Sequence, residues 1–114
     1  MIKTIALLTR KPGTSHEEFL RRWEHEHAPL AHGVPGLRRY VLSMVRSQPV
    51  RADIERHGIE VDGIAELWFD DEAALRAASE SPQMQKLRAH GATMIGRIEN
   101  FVTIEKQIIP RETA

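Results

Sequence analysis

The sequence predicts one α+β domain of the ferredoxin-like type, a four-stranded antiparallel sheet with two helical regions on one face. Three observations carry this. Patterning gives the order strand, helix, strand, strand, helix, strand, a split β-α-β arrangement. A length of 114 residues leaves no room for a second folded domain. Several strands are apolar on both faces, although the helices of such a sheet cover only one, so a second copy of the chain is the expected cover and a two-fold homodimer the expected assembly.

The apolar, partly β-branched run Ile2 to Thr9 reads as a buried strand stopped by Lys11-Pro12-Gly13. Ser15 with Glu18 has capping-box spacing, and Phe19, Leu20, Trp23, His27 and Leu30 recur at helical intervals. Pro29 and Gly33 mark the end of that helix, and Val34-Pro35-Gly36 forms a turn into a second strand from Leu37 to Arg46. Residues Ser47 to Asp62 lose all pattern, an irregular loop placed at a pocket rim because loops of about 15 residues are uncommon and often functional. Gly63 to Phe69 is the third strand, followed by Asp70-Asp71 as caps and an alanine-rich helix from Glu72 to about Ser79. Ser81-Pro82 restarts the helix with Met84, Leu87 and Ile95 inward, and Asn100 to Ile109 is the last strand. The domain is assigned to residues 1–110, with a polar tail at 111–114.

Composition narrows the function. With 16 basic and 16 acidic side chains the chain has no net charge, which argues against nucleic acid as a partner. No run approaches the roughly 20 apolar residues of a membrane span, so no membrane partner is expected. There are no cysteines, which removes thiolate chemistry and suits a reducing cytoplasm, as does an N-terminus without a cleavable leader. Neither a Gly-x-Ser-x-Gly elbow nor a Gly-rich phosphate loop occurs, so no nucleotide cofactor is announced and chemistry is expected to run without one.

Of the six histidines, His16, His25, His32 and His57 read as surface or capping residues. His27 differs, because it shares the inward stripe with Leu20 and Trp23; it is either a core histidine bonded to a backbone carbonyl or a general acid or base between helix and sheet. His25 and His27 point roughly 200° apart on a helix and cannot chelate one ion, so no metal is expected. His25 with His32, or His27 with His90, can meet only through the fold. Tyr40 and Trp68, each with an apolar body and a polar tip, are candidates to grip a small ring-shaped substrate, beside Trp23; the alternative is simple core packing. Glu66 shares a strand face with Ile64 and Trp68, as a rim residue or as a buried acid partnered by a group such as His27. The remaining carboxylates read as solvated charge.

Trp23-x-x-x-His27-x-Pro29, preceded by Lys11-Pro12-Gly13 and Glu18-Phe19 and followed by Pro35-Gly36-Leu37-x-x-Tyr40, resembles the EthD-like family of dimeric α+β barrel proteins, which takes in methylmuconolactone methyl-isomerases. The similarity extends to Glu66-Leu67-Trp68-Phe69, Ser81-Pro82 and Phe101-Val102. The resemblance implies a homodimer whose sheets form a barrel, with a pocket near the helix histidine. It carries the family's helix histidine onto His27 and its second-strand aromatic onto Tyr40. It implies a small cofactor-independent catabolic enzyme moving a proton on an aromatic-derived or lactone-like molecule. A cofactor-independent oxygenase on a phenol, a non-catalytic binding protein of a degradation pathway and a haem-binding barrel are the alternatives. Isomerases of the lactone type are expected to recruit more than one polar group in the pocket, and here Leu67 and Ala65 add none.

Overall fold

A computed structural model of the chain describes residues 1–110; the tail expected at 111–114 lies outside the described residues. The elements are β1 (Ile2–Arg10), α1 (His16–Arg22), a π-helical turn (Trp23–His27), a 3-10 segment (Ala28–Gly33), β2 (Arg39–Met44), β3 (Gly63–Phe69), α2 (Glu72–Ser79), α3 (Pro82–Gly91) and β4 (Ile95–Ile104). The sheet order is β2-β3-β1-β4 with every neighbouring pair antiparallel. This is the ferredoxin-like topology that the element order predicts.

Local signals set most boundaries. Ser15, Asp71 and Ser81 each cap the helix that follows, their side chains accepting from the backbone N–H of Glu18, Ala74 and Met84. The first capping box closes on one side only, because the Glu18 carboxylate turns to Arg21 at 2.7 Å. Pro12-Gly13 and Pro35-Gly36 both place glycine at positive φ, +87° and +76°, after a proline, the arrangement of a type II turn.

The expected continuous helix to Leu30 does not form. It is α-helical only to Arg22, then widens so that the Ala28 N–H bonds the Trp23 carbonyl five residues back, then tightens into the 3-10 segment. Pro29 has no N–H to give the carbonyl four residues earlier, so the α-helical ladder cannot continue through it. The last strand is also displaced: it starts at Ile95 and ends at Ile104, and Ile95 belongs to it and not to the helix before it. Gly96 is the extra residue where the β1–β4 register shifts, and a Cβ there would stand 2.6 Å from the Arg10 carbonyl oxygen. Likewise β2 is shorter than expected at both ends.

The register decides which side chains meet the helices. Ala6 and Leu8 of β1, Ala65 and Leu67 of β3, and Tyr40 and Leu42 of β2 pack with Phe19, Trp23 and Met94. Phe69 joins Ala31, Val34, Ala78, Met84 and Leu87 in a second cluster beneath α2 and α3. Trp23, Phe19 and Phe69 are completely buried. Gly63 provides the seat for Trp23, since a Cβ at that position would lie 2.3 Å from its ring carbon Cζ3. The opposite face carries the rows Val41–Glu66–Ile5–Phe101 and Arg39–Trp68–Lys3–Thr103. At the β4 edge no helix covers the sheet, and Ile98, Val102 and Ile104 stand 53%, 61% and 79% exposed on the helix side of that strand. Among the described residues no helix is long and apolar enough to cross a membrane.

Candidate functional site

The π-helical turn delivers His27 to the interior. The ring is buried, and its Nδ1 lies 2.9 Å from Nδ1 of His90 in the last turn of α3, with the two imidazoles stacked at 5.1 Å between centroids. Gly91 leaves room for this ring, because a Cβ there would come within 3.3 Å of His27 Cε1. Burial, and then the proximity of His90, push the His27 imidazole down to about 4. The ring is therefore neutral at pH 7 and retains a lone pair for accepting a proton. The hydrogen-bond partner of His27 is the side chain of His90 and not the backbone carbonyl expected of a core histidine.

Trp23, one turn earlier, and Tyr40 of β2 belong to the same packed cluster. Burial pushes the Tyr40 hydroxyl up to about 12, an effect that the neighbouring Trp23 indole N–H offsets only in part. The two do not reach hydrogen-bond geometry, and Trp23 Nε1 is the one sealed side-chain polar atom without a partner among the described residues. Tyr40 also floors an open groove of about 450 Å³ between the 3-10 segment and β2, whose walls include Ala28, Ala31, His32, Val34 and Arg39. The groove adjoins His27 through the next residue, Ala28, but the imidazole itself does not line it.

Glu66 and Trp68 lie elsewhere. The structure places both on the opposite face of the sheet, where Glu66 accepts from Lys3 Nζ at 2.8 Å and Trp68 Nε1 donates to Glu105. Lys3 and Arg39 stand over the Trp68 ring, 5.2 and 4.6 Å from its centroid. Of the two alternatives for Glu66, the buried acid partnered by His27 is overturned, because the sheet stands between them and Lys3 is its partner. A signal was present in the strand, since Ala65, Leu67 and Phe69 form its wholly apolar side while Glu66 breaks the other.

Sequence reasoning also missed a buried acid. Asp62, expected to be solvated, is only 3% exposed and accepts from the Arg10 backbone N–H at 2.7 Å, from the Arg10 guanidinium at 2.6 Å and from His16 Nδ1 at 2.6 Å. Burial alone would push this carboxyl up, yet these donors together hold it below the usual carboxylate range. His16 is therefore a clamp between α1 and the start of β3, not a free surface residue. No local pattern announces this, because the partners are 46 and 52 residues away. The long loop behaves as expected of a rim: Gly58, Ile59 and Glu60 wall a second groove of about 750 Å³ with Arg10, Thr14 and Arg97. No group of three or more His, Asp or Glu side chains among the described residues is arranged to hold a metal ion.

A family model described as the EthD domain matches residues 11–98, which includes the Trp23-to-Tyr40 motif but not the Phe101-Val102 pair. The chain is 31% identical over 106 residues to a 4-carboxymethyl-4-methylbutenolide mutase of Pseudomonas reinekei, covering 92% of this chain and 98% of that one. An EthD family protein of Bacillus halodurans superposes with a TM-score of 0.75 at 22% identity, over 93% of this chain and 99% of that one. A dimeric ferredoxin-like protein of unknown function from Thermobifida fusca does so with a TM-score of 0.67 at 18% identity, over 90% and 88%.

Proposed function

The chain belongs to the EthD domain family, and on that premise we propose that it is a small isomerase-type enzyme moving a proton on a lactone-like or aromatic-derived substrate, with His27 as acid and base. The observation that carries this reading is the His27 imidazole itself, buried, neutral and bonded at Nδ1 to a second titratable ring. General acid–base catalysis needs a placed side chain that can take up and return a proton, and a neutral imidazole has the bare ring nitrogen to do so. The likeness to a butenolide mutase favours a lactone, and the groove beside Tyr40 is of a size for a small molecule, with apolar walls and Arg38 at its rim. Tyr40, which lines the groove, is the substrate-binding candidate near His27, with the fully buried Trp23 packed in the cluster behind it; Glu66 and Trp68 do not share this site.

The test is to incubate the protein with 4-carboxymethyl-4-methylbutenolide in D2O and follow isomer formation and deuterium uptake by NMR. His27→Gln is expected to lower turnover by about 10²–10⁴, the usual contribution of a placed acid–base group, while circular dichroism stays native. Equal rates in both proteins would remove His27 from the chemistry. Oxygen consumption with a phenol and no lactone turnover would move the reading to an oxygenase.

The active assembly in this reading is a two-fold homodimer. Apolar side chains on β4 are uncovered on both faces, with Phe101 43% exposed on one and Val102 61% on the other. A matched neighbour of the same fold is itself dimeric. A monomer in scattering measurements at micromolar concentration would sink this part.

A further inference from the structure

We propose that His90 is the positioning residue through which His27 exchanges its proton with water, the two rings forming a relay that resets His27 between base and acid. The inference rests on the acid–base reading of His27. Two Nδ1 atoms at 2.9 Å can share only one proton, so one ring donates from Nδ1 and the other accepts there. That contact fixes opposite roles. When His27 carries the Nδ1 proton its Nε2 is bare, a base; when His90 carries it, His27 must hold its own proton on Nε2, an acid.

The proton count closes. Both rings begin neutral, His27 protonated at Nδ1 and His90 at Nε2. A proton leaves substrate carbon for His27 Nε2, the His27 Nδ1 proton passes to His90 Nδ1, and the His90 Nε2 proton departs to water. His27 is then neutral and protonated at Nε2, ready to return a proton to another carbon, and the reverse transfer restores the start. No oxidant or further reactant enters.

The surroundings suit this direction of transfer. His27 is 7% exposed and lies against Gly91, and among the described residues the charge acting on it is that of His90. His90 is partly exposed and sits in the last turn of α3, where unpaired carbonyls favour a cation. Tyr40, the other titratable group in the cluster, is turned toward Trp23 and stays protonated. The buried ring thus has a more exposed partner through which a proton can reach water.

The test uses the full chain labelled with ¹⁵N. Long-range ¹H–¹⁵N spectra are expected to show one ring with a protonated Nδ1 and the other with a bare Nδ1, and the two rings titrating as one coupled system. Two Nε2–H tautomers, or independent titrations, would overturn the relay. With the butenolide as probe, His90→Asn keeps a hydrogen-bonding group at the Nδ1 position but carries no proton onward; kcat is expected to fall by about 10²-fold with KM little changed. Imidazole in the buffer is expected to restore part of kcat to His90→Ala and none to His27→Gln. Native kcat in His90→Asn overturns the proposal while leaving the role of His27 intact. If the native protein does not turn over the lactone, the assignment of that substrate fails and the tautomer and titration spectra alone decide the relay.

Discussion

The two faces of one sheet handle charge in opposite ways. On the open face, Lys3, Glu66, Arg39, Trp68 and Glu105 satisfy one another; the Glu66 partner raises the Lys3 ammonium, and the Trp68 indole, followed by Lys3, lowers the Glu105 carboxyl. On the helix face, among the described residues, the hydrogen-bond partner of His27 is another imidazole and not an opposite charge. A charge network of the first kind locks protonation states in place. A buried base without a counter-ion does the reverse, since its proton affinity is set by burial and is open to change by whatever enters beside it. In the proposed reading the helix face is where proton chemistry takes place, while the polar groups of the open face are held in a charge network.

Breaking the helix face at its tightest point has the largest expected effect. Gly63→Ala forces a methyl group into the Trp23 ring, which is fully buried against Phe19 and cannot retreat along a free rotamer. A loss of about 3 kcal/mol or more is expected, the upper end for overpacking, read from the urea midpoint. A loss below about 1 kcal/mol would mean that Trp23 has an alternative seat and that the pocket side is softer than the close packing indicates.

The pH dependence sharpens the contrast. The folded-state value of His27 lies near 4 against an unfolded value of 6.5, so the unfolded chain binds the proton first as pH falls. Stability from this residue is complete above about pH 6.5, declines as pH drops, and is spent once pH passes about 4; the total is about 3 kcal/mol. His27→Gln is expected to flatten the stability profile between those limits. Asp62 contributes a slope of the same sign from its depressed carboxyl, lost as pH falls through its folded value, so the difference between native and His27→Gln profiles is the quantity to measure. Identical profiles would show that His27 is not buried in its neutral form.

The smallest expected effect is on the open face. Glu66→Gln keeps the shape of the side chain and leaves Lys3 with Glu105 at 3.3 Å, so less than about 1 kcal/mol of stability and no change in lactone turnover are expected. A turnover loss as large as that of His27→Gln would reinstate Glu66 in the site and dissolve the distinction between the faces.

Much of this protein is short-range physics and was legible in its sequence. The caps at Ser15, Asp71 and Ser81, the two Pro-Gly turns and the period-two faces of the strands all depend on residues within four positions of one another. Their steric and hydrogen-bonding rules are fixed by residue type, and they were enough to give the topology and to single out His27 with Trp23. Period two also grouped Glu66 with Trp68, but alternation says that residues share a face and not which face the helices take. That choice, the His27–His90 contact across 63 residues and the Asp62 clamp on His16 across 46 exist only once the sheet and helices have docked. Docking is decided by burial summed over the whole chain, so the tertiary structure alone selects which polar side chains the apolar pattern leaves facing each other.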